Sequence, residues 1–228
     1  MADYREYIET WVHEVKTPIA SARLTLENLP GPPLQGLEEA LFQIEGYVEQ
    51  ALFYARSGAV ERDYVVRPMA LRQAASDAVK KYARPLIAAG FSVELEGLDA
   101  VAYADGKWVE FILGQLISNA IKYRGEHPRL VFTQSRAEQS VALNVADNGV
   151  GIPQADLPRV CEKGFTGENG RKLSKRSTGL GLYLCRTLCG RLGLGFSIAS
   201  QAGEGTRVSI IFPKGRFYLL GEREELKQ

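Results

Sequence analysis

Apolar positions in the first quarter of the chain recur with the period of two amphipathic helices. Their spacing alternates between four and three residues over 8–29 and again over 34–55. The segment 30–33, Pro-Gly-Pro-Pro, separates the two runs, because no helix continues through it. Each helix has one apolar seam and little else to bury it. The pattern therefore predicts a helical hairpin that pairs with a second copy as a four-helix bundle; the alternative is a hairpin packed on the rest of its own chain.

The remainder of the chain mixes helical and strand-like patterns after a junction at residues 57–69. The predicted helices cover residues 71–89, 107–123 and 180–192. The predicted strands cover residues 91–96, 101–105, 129–136, 140–147, 195–200 and 206–212. This mixture indicates an α+β fold in which helices cover one face of a sheet.

Charge divides the chain in the same place. The 228 residues carry a net charge of +1 and are 45% hydrophobic, as in an ordinary globular protein. Residues 1–64 hold 5 basic and 11 acidic residues, a balance of −6, whereas residues 65–228 hold 23 basic and 16 acidic residues, a balance of +7. We therefore predict two domains, 1–62 and 66–228, of which the second suits an anionic ligand.

Other features exclude several classes of protein. No apolar run approaches the roughly 18 residues that a membrane span needs, and the N-terminus lacks the pattern of a secretory signal. Nothing indicates a basic arm for nucleic acid. The three cysteines, Cys161, Cys185 and Cys189, form no CxxC pair, and both histidines are distant in sequence. They are predicted to be buried thiols in a reducing compartment rather than metal ligands.

The first candidate for chemistry is His13, on the flank of the first helix. Glu14 follows it, Thr17 lies one turn further on the same face, and Pro18 is expected to bend the helix there. An imidazole with a carboxylate and a hydroxyl beside it at a bend fits a reactive group. A solvated surface histidine is the alternative.

A second candidate lies on the predicted helix 107–123. Gln115, Asn119 and Lys122 share one face, and Tyr123 follows. Amide oxygens are suitable ligands for Mg²⁺, and an ammonium group neutralises phosphate charge. The arrangement fits a phosphate–metal site, and a polar face turned to water is the alternative.

Two glycine-rich segments complete the set. Asp147 ends the clearest strand and is followed by Gly149 and Gly151, which would let a base approach the backbone while the carboxylate accepts its hydrogen bond. A plain turn is the alternative reading. Gly179 and Gly181 open a helix whose N–H groups would hold an anion. Residues 163–176 just before them carry five basic residues against one acid, as in a basic lid or a solvated loop.

Five motifs, taken in order, resemble those of sensor histidine kinases over residues 3–212. They are the H box HEVKTP (13–18), the N box QLISNAIKY (115–123), the G1 box DNGVGIP (147–153), the F box EKGFTG (162–167) and the G2 box STGLGLYL (177–184). The sequences HEVKTPIA and FTGENGR are most similar to those of the subgroup of membrane-buried sensor kinases paired with peptide-antibiotic transporters. Gln115 and Cys161 stand where the family often has Asn and Phe.

The resemblance implies a fold and a set of roles. The hairpin would be the dimerisation and phosphoacceptor domain, and the rest a Bergerat-type α/β sandwich that binds ATP. His13 would take the γ-phosphoryl group, Glu14 would polarise it or accept its proton, and Thr17 would orient water for the reverse phosphatase reaction. Asn119 would ligate Mg²⁺ and Asp147 would bind the adenine amino group. The other implied nucleotide contacts are Lys122, Tyr123, Gly149, Gly151, Lys163, Thr178, Gly179, Leu180, Gly181 and Thr206.

The activity implied is that of an ATP-dependent autokinase. It would phosphorylate His13 and pass the group to an aspartate in the receiver domain of a response regulator. The implied protein is a homodimer, here the cytoplasmic portion of a bacterial inner-membrane protein whose anchor precedes it. Two other readings are an ATPase of the gyrase, heat-shock chaperone and mismatch-repair (GHKL) superfamily, and a nucleotide-binding dimeric adaptor. The hairpin with His13 argues against the first, and the intact His13, Asn119 and Asp147 argue against the second.

Overall fold

The computed structural model divides the chain into two compact units, Met1–Val60 and Glu61–Gln228. The structure describes residues 16, 19, 20, 22, 24, 26, 35–56, 64–168 and 179–214. The predicted site residues His13, Glu14, Thr17 and Thr178 lie outside the described residues, as do residues 169–178 of the predicted lid.

The first unit contains the second predicted helix, α1 (Gln35–Arg56), and helical residues between 16 and 26. Its core comprises Ile19 from the earlier segment with Leu41, Val48 and Leu52 of α1, all less than 9% exposed. Ala22 and Leu26 pack against this cluster. The seam predicted over 34–55 is only partly confirmed, because its positions Leu41 and Val48 lie in this core whereas Leu37 and Ile44 are 47% and 43% exposed. Leu52, which the predicted spacing leaves out, is buried instead.

The described residues of the second unit form both helices and strands. The helices are α2 (Leu71–Lys81), α3 (Ala83–Ala88), α4 (Gly106–Lys122) and α5 (Gly181–Arg191), with a 3₁₀ turn at Leu157–Arg159. The strands are β1 (Arg67–Ala70), β2 (Ser92–Leu95), β3 (Val101–Ala104), β4 (Arg129–Ala137), β5 (Ser140–Asp147), β6 (Gly195–Gln201) and β7 (Gly205–Pro213).

The main sheet has five strands in the order β2-β4-β5-β7-β6. The β2–β4 pair is parallel and the other pairs are antiparallel, whereas β1 and β3 form a separate antiparallel pair. Alternate residues of the central strands are buried, as the strand period requires. These residues are Leu130, Phe132, Val141, Leu143, Val145, Val208, Ile210 and Phe212. α4 is buried along most of its length and contacts both α2 and α5, so the helices form the second layer of the core.

Three sequence-based assignments need correction. The single helix predicted over 71–89 is two helices, since Pro85 has no N–H to donate to Lys81 and α2 ends there. β1 was not predicted because it is short, mostly exposed and contains a proline. Asp105, assigned to a strand, instead caps the N-terminus of α4 through a hydrogen bond from the Lys107 N–H to its side chain.

The cysteines largely follow the prediction. Cys185 and Cys189 are buried in α5, whereas Cys161 is only half-buried. Burial raises the pKa of Cys189 to about 12 and that of Cys185 well above its usual range, so both thiols stay protonated. Within the described part of the chain, no group of three His, Cys, Asp or Glu side chains is placed to hold a metal ion. No described helix is long and apolar enough to cross a membrane.

Candidate functional site

Asp147 ends β5 at the edge of the main sheet, opposite Thr206 on β7. Its Oδ1 accepts a hydrogen bond from the Gly149 N–H at 2.9 Å, and the Thr206 N–H also donates to the carboxylate. Burial raises the pKa of Asp147, and these two N–H donors oppose the rise. The result is an acceptor group held in place by the backbone in a site from which water is partly excluded.

Gly149 and Gly151, which follow Asp147, lie so close to neighbouring backbone that neither position has room for a side chain. A Cβ at Gly149 would collide with the Tyr123 carbonyl oxygen and lie 2.9 Å from Asp147 Oδ1. Gly151 has a φ of +65°, and its Cβ would collide with the Gln201 carbonyl oxygen. The turn is therefore pressed between the end of α4 and the β6–β7 hairpin, and its backbone at Gly149 and Gly151 contacts theirs directly.

Hydrogen bonds fix this turn on both sides. The Val150 N–H donates to the Tyr123 carbonyl, and the Gly203 N–H donates to the Val150 carbonyl, both at 2.9 Å. On the β6–β7 side, Ser200 Oγ accepts from the Ile152 N–H at 2.8 Å. The α4 end and the hairpin end therefore hold the turn as one unit.

Ser200 also organises the Thr206 side of the site. Its hydroxyl donates to the Gly205 carbonyl at 2.6 Å, and its Oγ lies 2.9 Å from Thr206 Oγ1. Sequence reasoning missed Ser200, since its partners lie up to 48 residues away and no local motif marks it.

Asn148, read from the sequence only as part of a turn, secures the loop after α4. Its Oδ1 accepts from the Arg129 N–H at 2.7 Å, and its Nδ2 donates to the His127 carbonyl at 2.8 Å. The amide side chain therefore joins the G1 turn to the start of β4. A turn that needed only local conformation would not require these two bonds.

A second group of polar side chains lies where α4 faces the N-terminus of α5. Gln115 is buried at 5% exposure, and Asn119 is half-buried one turn later. A Cβ built on Gly181 would lie 3.2 Å from Gln115 Oε1 and 4.0 Å from both amide atoms of Asn119. The Leu180 side chain makes no capping hydrogen bond at the N-terminus of α5. N–H groups at a helix N-terminus favour an anion, and an amide oxygen beside them suits a phosphate-bound cation.

The remaining predicted residues lie around these two groups. The Lys122 ammonium is 5.2 Å from the centre of the Tyr123 ring at the end of α4. The Gly164 N–H donates to the Gly179 carbonyl at 3.1 Å, and a Cβ at Gly179 would collide with the Gly164 backbone. Exposed Lys163 adjoins this contact, and half-buried Leu180 precedes α5. Gly164, at the start of the predicted lid, and Gly179, just after it, are therefore in direct contact.

An open depression of about 320 Å³ lies beside Gly164, where the predicted lid begins. Its lining residues are Arg159, Glu162, Lys163, Gly164, Phe165 and Thr166. The Arg159 guanidinium stacks 4.5 Å from the centre of the Phe165 ring and donates to Glu162 at 3.1 Å. These contacts set the F-box aromatic ring against the 3₁₀ turn.

The structure therefore assembles most of the described predicted residues into two groups. Asp147, Gly149, Gly151 and Thr206 lie together at one group, and Asn119 faces Gly181 at the other, with Gln115 beside them. The end of α4 connects them through the bond between Tyr123 and Val150. The donors fit Mg²⁺ that arrives with a polyphosphate, because Asn119 would supply one neutral oxygen and the phosphates and waters the rest.

Comparisons with known proteins agree with this geometry. Residues 104–216 match the family of histidine kinase-, DNA gyrase B- and HSP90-like ATPases. The chain is 34% identical to the sensor histidine kinase YxdK of Bacillus subtilis, over 90% of this chain and 64% of that protein. It is 33% identical to the sensor protein BceS of Halalkalibacterium halodurans, over 90% of this chain and 61% of that protein. The chain thus spans about three fifths of the length of the curated relatives that it matches.

A solved structure shares the fold. The histidine kinase ThkA, determined in complex with the response regulator protein TrrA, superposes with a TM-score of 0.60 at 17% identity, over 93% of this chain and 61% of that one. The predicted combination of helices and an α/β sandwich is confirmed. Residues 104–216 of this chain thus match an ATPase family that includes the histidine kinases, and nine tenths of the chain is similar to the sensor proteins YxdK and BceS.

Proposed function

We propose that this chain is the catalytic portion of an ATP-dependent autokinase that phosphorylates His13 and transfers the phosphoryl group to an aspartate of a response regulator. The observation that carries the proposal is the pairing of two complementary groups. At one, Asp147 accepts hydrogen bonds beside the close-packed backbone of Gly149 and Gly151; at the other, Asn119 and Gln115 face the N-terminus of α5. An adenine amino group suits the first, and magnesium-bound phosphates suit the second.

The residues of the ATP domain would act by positioning. Asp147 would accept the hydrogen bond of the adenine amino group, and the bare backbone at Gly149 and Gly151 would admit the flat base. Asn119 would hold Mg²⁺, which supplies charge neutralisation for the phosphates when bound. The N–H groups around Gly179, Leu180 and Gly181, with Thr178, Lys122 and Lys163, would hold the phosphate oxygens and offset their charge.

The transfer itself would take place at His13. The neutral imidazole forms a nitrogen–phosphorus bond as the bond from the γ-phosphorus to the ADP oxygen breaks, and Glu14 accepts the imidazole proton. The receiver aspartate then takes the phosphoryl group from the imidazole. Thr17 would orient the water that hydrolyses the phospho-aspartate to aspartate and inorganic phosphate in the opposing phosphatase reaction. The pairing of ThkA with TrrA supports a receiver domain as partner of this chain.

A second apolar stripe on α1 supports the homodimer. Leu37, Ile44, Tyr47 and Tyr54 are between 39% and 47% exposed, at spacings of seven and three residues. This stripe is distinct from the face of Leu41, Val48 and Leu52 that forms the hairpin core. A heptad stripe exposed in one hairpin is buried when two hairpins form a bundle. We further infer that the full-length protein is anchored in a bacterial inner membrane, as the subgroup resemblance implies.

The deciding experiment is incubation of the chain with γ-labelled ATP and Mg²⁺. We expect acid-labile, alkali-stable label on the protein, lost in His13→Gln and in Asp147→Asn. The matched control is Asp77→Asn, which changes a carboxylate at 52% side-chain exposure on α2. Phosphate release without labelled protein would identify the ATPase alternative. Nucleotide binding with neither product would identify the adaptor.

A further inference from the structure

Asp105 is a buried carboxylate that the proposed chemistry does not use. It is 7% exposed and sits at the N-cap of α4. Its Oδ1 accepts from the Lys107 N–H at 3.1 Å, and its carbonyl accepts from the Trp108 and Val109 N–H groups at 3.2 Å. These bonds account for the cap, and one side-chain oxygen suffices for that role.

The second oxygen of Asp105 reaches a distant part of the chain. Oδ2 accepts from the Val65 N–H at 3.1 Å, across a sequence separation of 40 residues, and lies 3.7 Å from the Lys107 ammonium. Burial and the Asp105 charge raise the pKa of the Tyr64 hydroxyl, and a hydrogen bond with the Asp105 backbone opposes the rise. One side chain therefore joins the start of α4 to the segment 64–65.

The positions of these two partners give the bond its significance. Val65 follows the last residue of α1, Arg56, after only eight intervening residues, so this segment brings the chain from the hairpin into the ATP domain. α4 carries Gln115 and Asn119 toward its other end. A helix moves largely as a rigid body, so a small displacement of its first turn is carried to those amides.

We propose that Asp105 is a positioning residue. Its carboxylate couples the segment 64–65, which enters from the hairpin, to α4, the helix that carries Gln115 and Asn119 of the proposed Mg·ATP site. Movement of Val65 is transmitted through the Asp105 carboxylate to the first turn of α4. The coupling rests on the proposed function for its kinetic consequence, but the bond itself is a property of the fold.

Two substitutions separate the cap from the coupling. Asp105→Asn and Asp105→Ser each retain one oxygen for the Lys107 N–H, and both residues are good N-caps. Neither also accepts from Val65 in the present geometry, because Asn offers an N–H₂ group there and Ser has a single oxygen. Asp105→Ala removes both functions, and Asp77→Asn on exposed α2 is the matched charge control.

The expected kinetic result in the full chain is a split between rate and affinity. Autophosphorylation should fall about tenfold in Asp105→Asn and Asp105→Ser, the change that one lost hydrogen bond to a charged group produces. The dissociation constant of a fluorescent ATP analogue should stay within about twofold of wild type, because each variant keeps the cap. A parallel loss of rate and affinity, or a wild-type rate, would overturn the proposal.

Hydrogen exchange tests the transmission without kinase activity. Val65→Pro removes the donor from the other end of the bond. In the wild-type background, this change should increase amide exchange at residues 107–109 several-fold, whereas in Asp105→Asn it should add nothing further, as for two changes that break one interaction. Equal increments in both backgrounds would refute the coupling. If wild type takes no label from ATP, the proposed function fails, and the exchange measurement still decides the role of Asp105.

Discussion

The backbone contacts of the G1 turn can be tested by comparing two glycine-to-alanine substitutions, one in the turn and one in the β6–β7 hairpin that contacts it. Gly151 and Gly203 both adopt left-handed backbone, with φ of +65° and +83°. Alanine in that conformation costs about 1–2 kcal/mol at either position. At Gly203 nothing lies within 4 Å of the new Cβ, whereas at Gly151 it would collide with the Gln201 carbonyl. Overpacking of this kind costs about 1–3 kcal/mol more.

We therefore expect Gly203→Ala to lower the Tm of the ATP unit by about 5 °C and Gly151→Ala by about 10 °C, at about 3 °C per kcal/mol. The second variant should also weaken binding of an ATP analogue more than about tenfold, because the turn that carries Asp147 must move away from the β6–β7 hairpin. Gly203→Ala should change that affinity by less than about twofold.

The unfolding of this unit can be followed separately. Trp108 is 1% exposed within it, and the only other tryptophan, Trp11, belongs to the first unit, so Trp108 fluorescence in a Trp11→Phe background reports on the ATP domain. Equal Tm losses in the two glycine variants, or unchanged nucleotide affinity in Gly151→Ala, would refute the steric reasoning.

Four further predictions concern the two units. Because burial raises the pKa of Asp147, its ionised form destabilises the folded state at pH values above that raised pKa. At neutral pH, Asp147→Asn should therefore have a Tm no lower than that of wild type, and the difference between the two Tm values should narrow as the pH falls through the raised pKa. Binding of an ATP analogue should be lost. A large Tm loss at neutral pH would contradict this reasoning. Ser200→Ala removes the hydroxyl that accepts from the Ile152 N–H and donates to the Gly205 carbonyl, and it should lower the free energy of unfolding by about 1–3 kcal/mol. Trp108 fluorescence measures this loss, and an unchanged Tm would contradict the role of these two bonds. In the hairpin, Leu41→Ala should destabilise the unit by about 2–4 kcal/mol, followed by helical circular dichroism. Ile44→Glu should leave the hairpin folded but dissociate the proposed dimer in sedimentation equilibrium, and a dimer that persists would argue against the exposed stripe as its interface.

The parts of the fold that local patterns could predict are those with local causes. β5 alternates cleanly and ends at Asp147, and the glycines that follow it are required by close backbone contacts. The buried face of α1 was predicted only in part, since Leu41 and Val48 lie in the core as expected whereas Ile44 is exposed. The helix break near Pro85 also has a local cause, the missing N–H of proline, but the single helix predicted over 71–89 overlooked it.

The parts that escaped prediction depend on contacts between distant positions. β1 is recognisable as a strand only because β3 pairs with it, and its own sequence is exposed and contains Pro68. Ser200 and Asp105 act on partners 48 and 40 residues away, so no window along the chain contains both members of either pair. Gln115 departs from the residue often found in the N box, and only the fold shows that its amide faces Gly181.

The contact between Gly164 and Gly179 has a consequence for how such a domain can vary. Gly164 and Gly179 are 15 positions apart in the sequence, yet the Gly164 N–H donates to the Gly179 carbonyl at 3.1 Å. The core therefore depends on that junction and not on the length of the segment between the two glycines. Doubling the length of a closed loop costs only about 0.6 kcal/mol, so insertions there are inexpensive for the fold. The lid segment is thus an exchangeable module, free to diversify in length and charge while the nucleotide-binding framework around Asp147 and Asn119 stays the same.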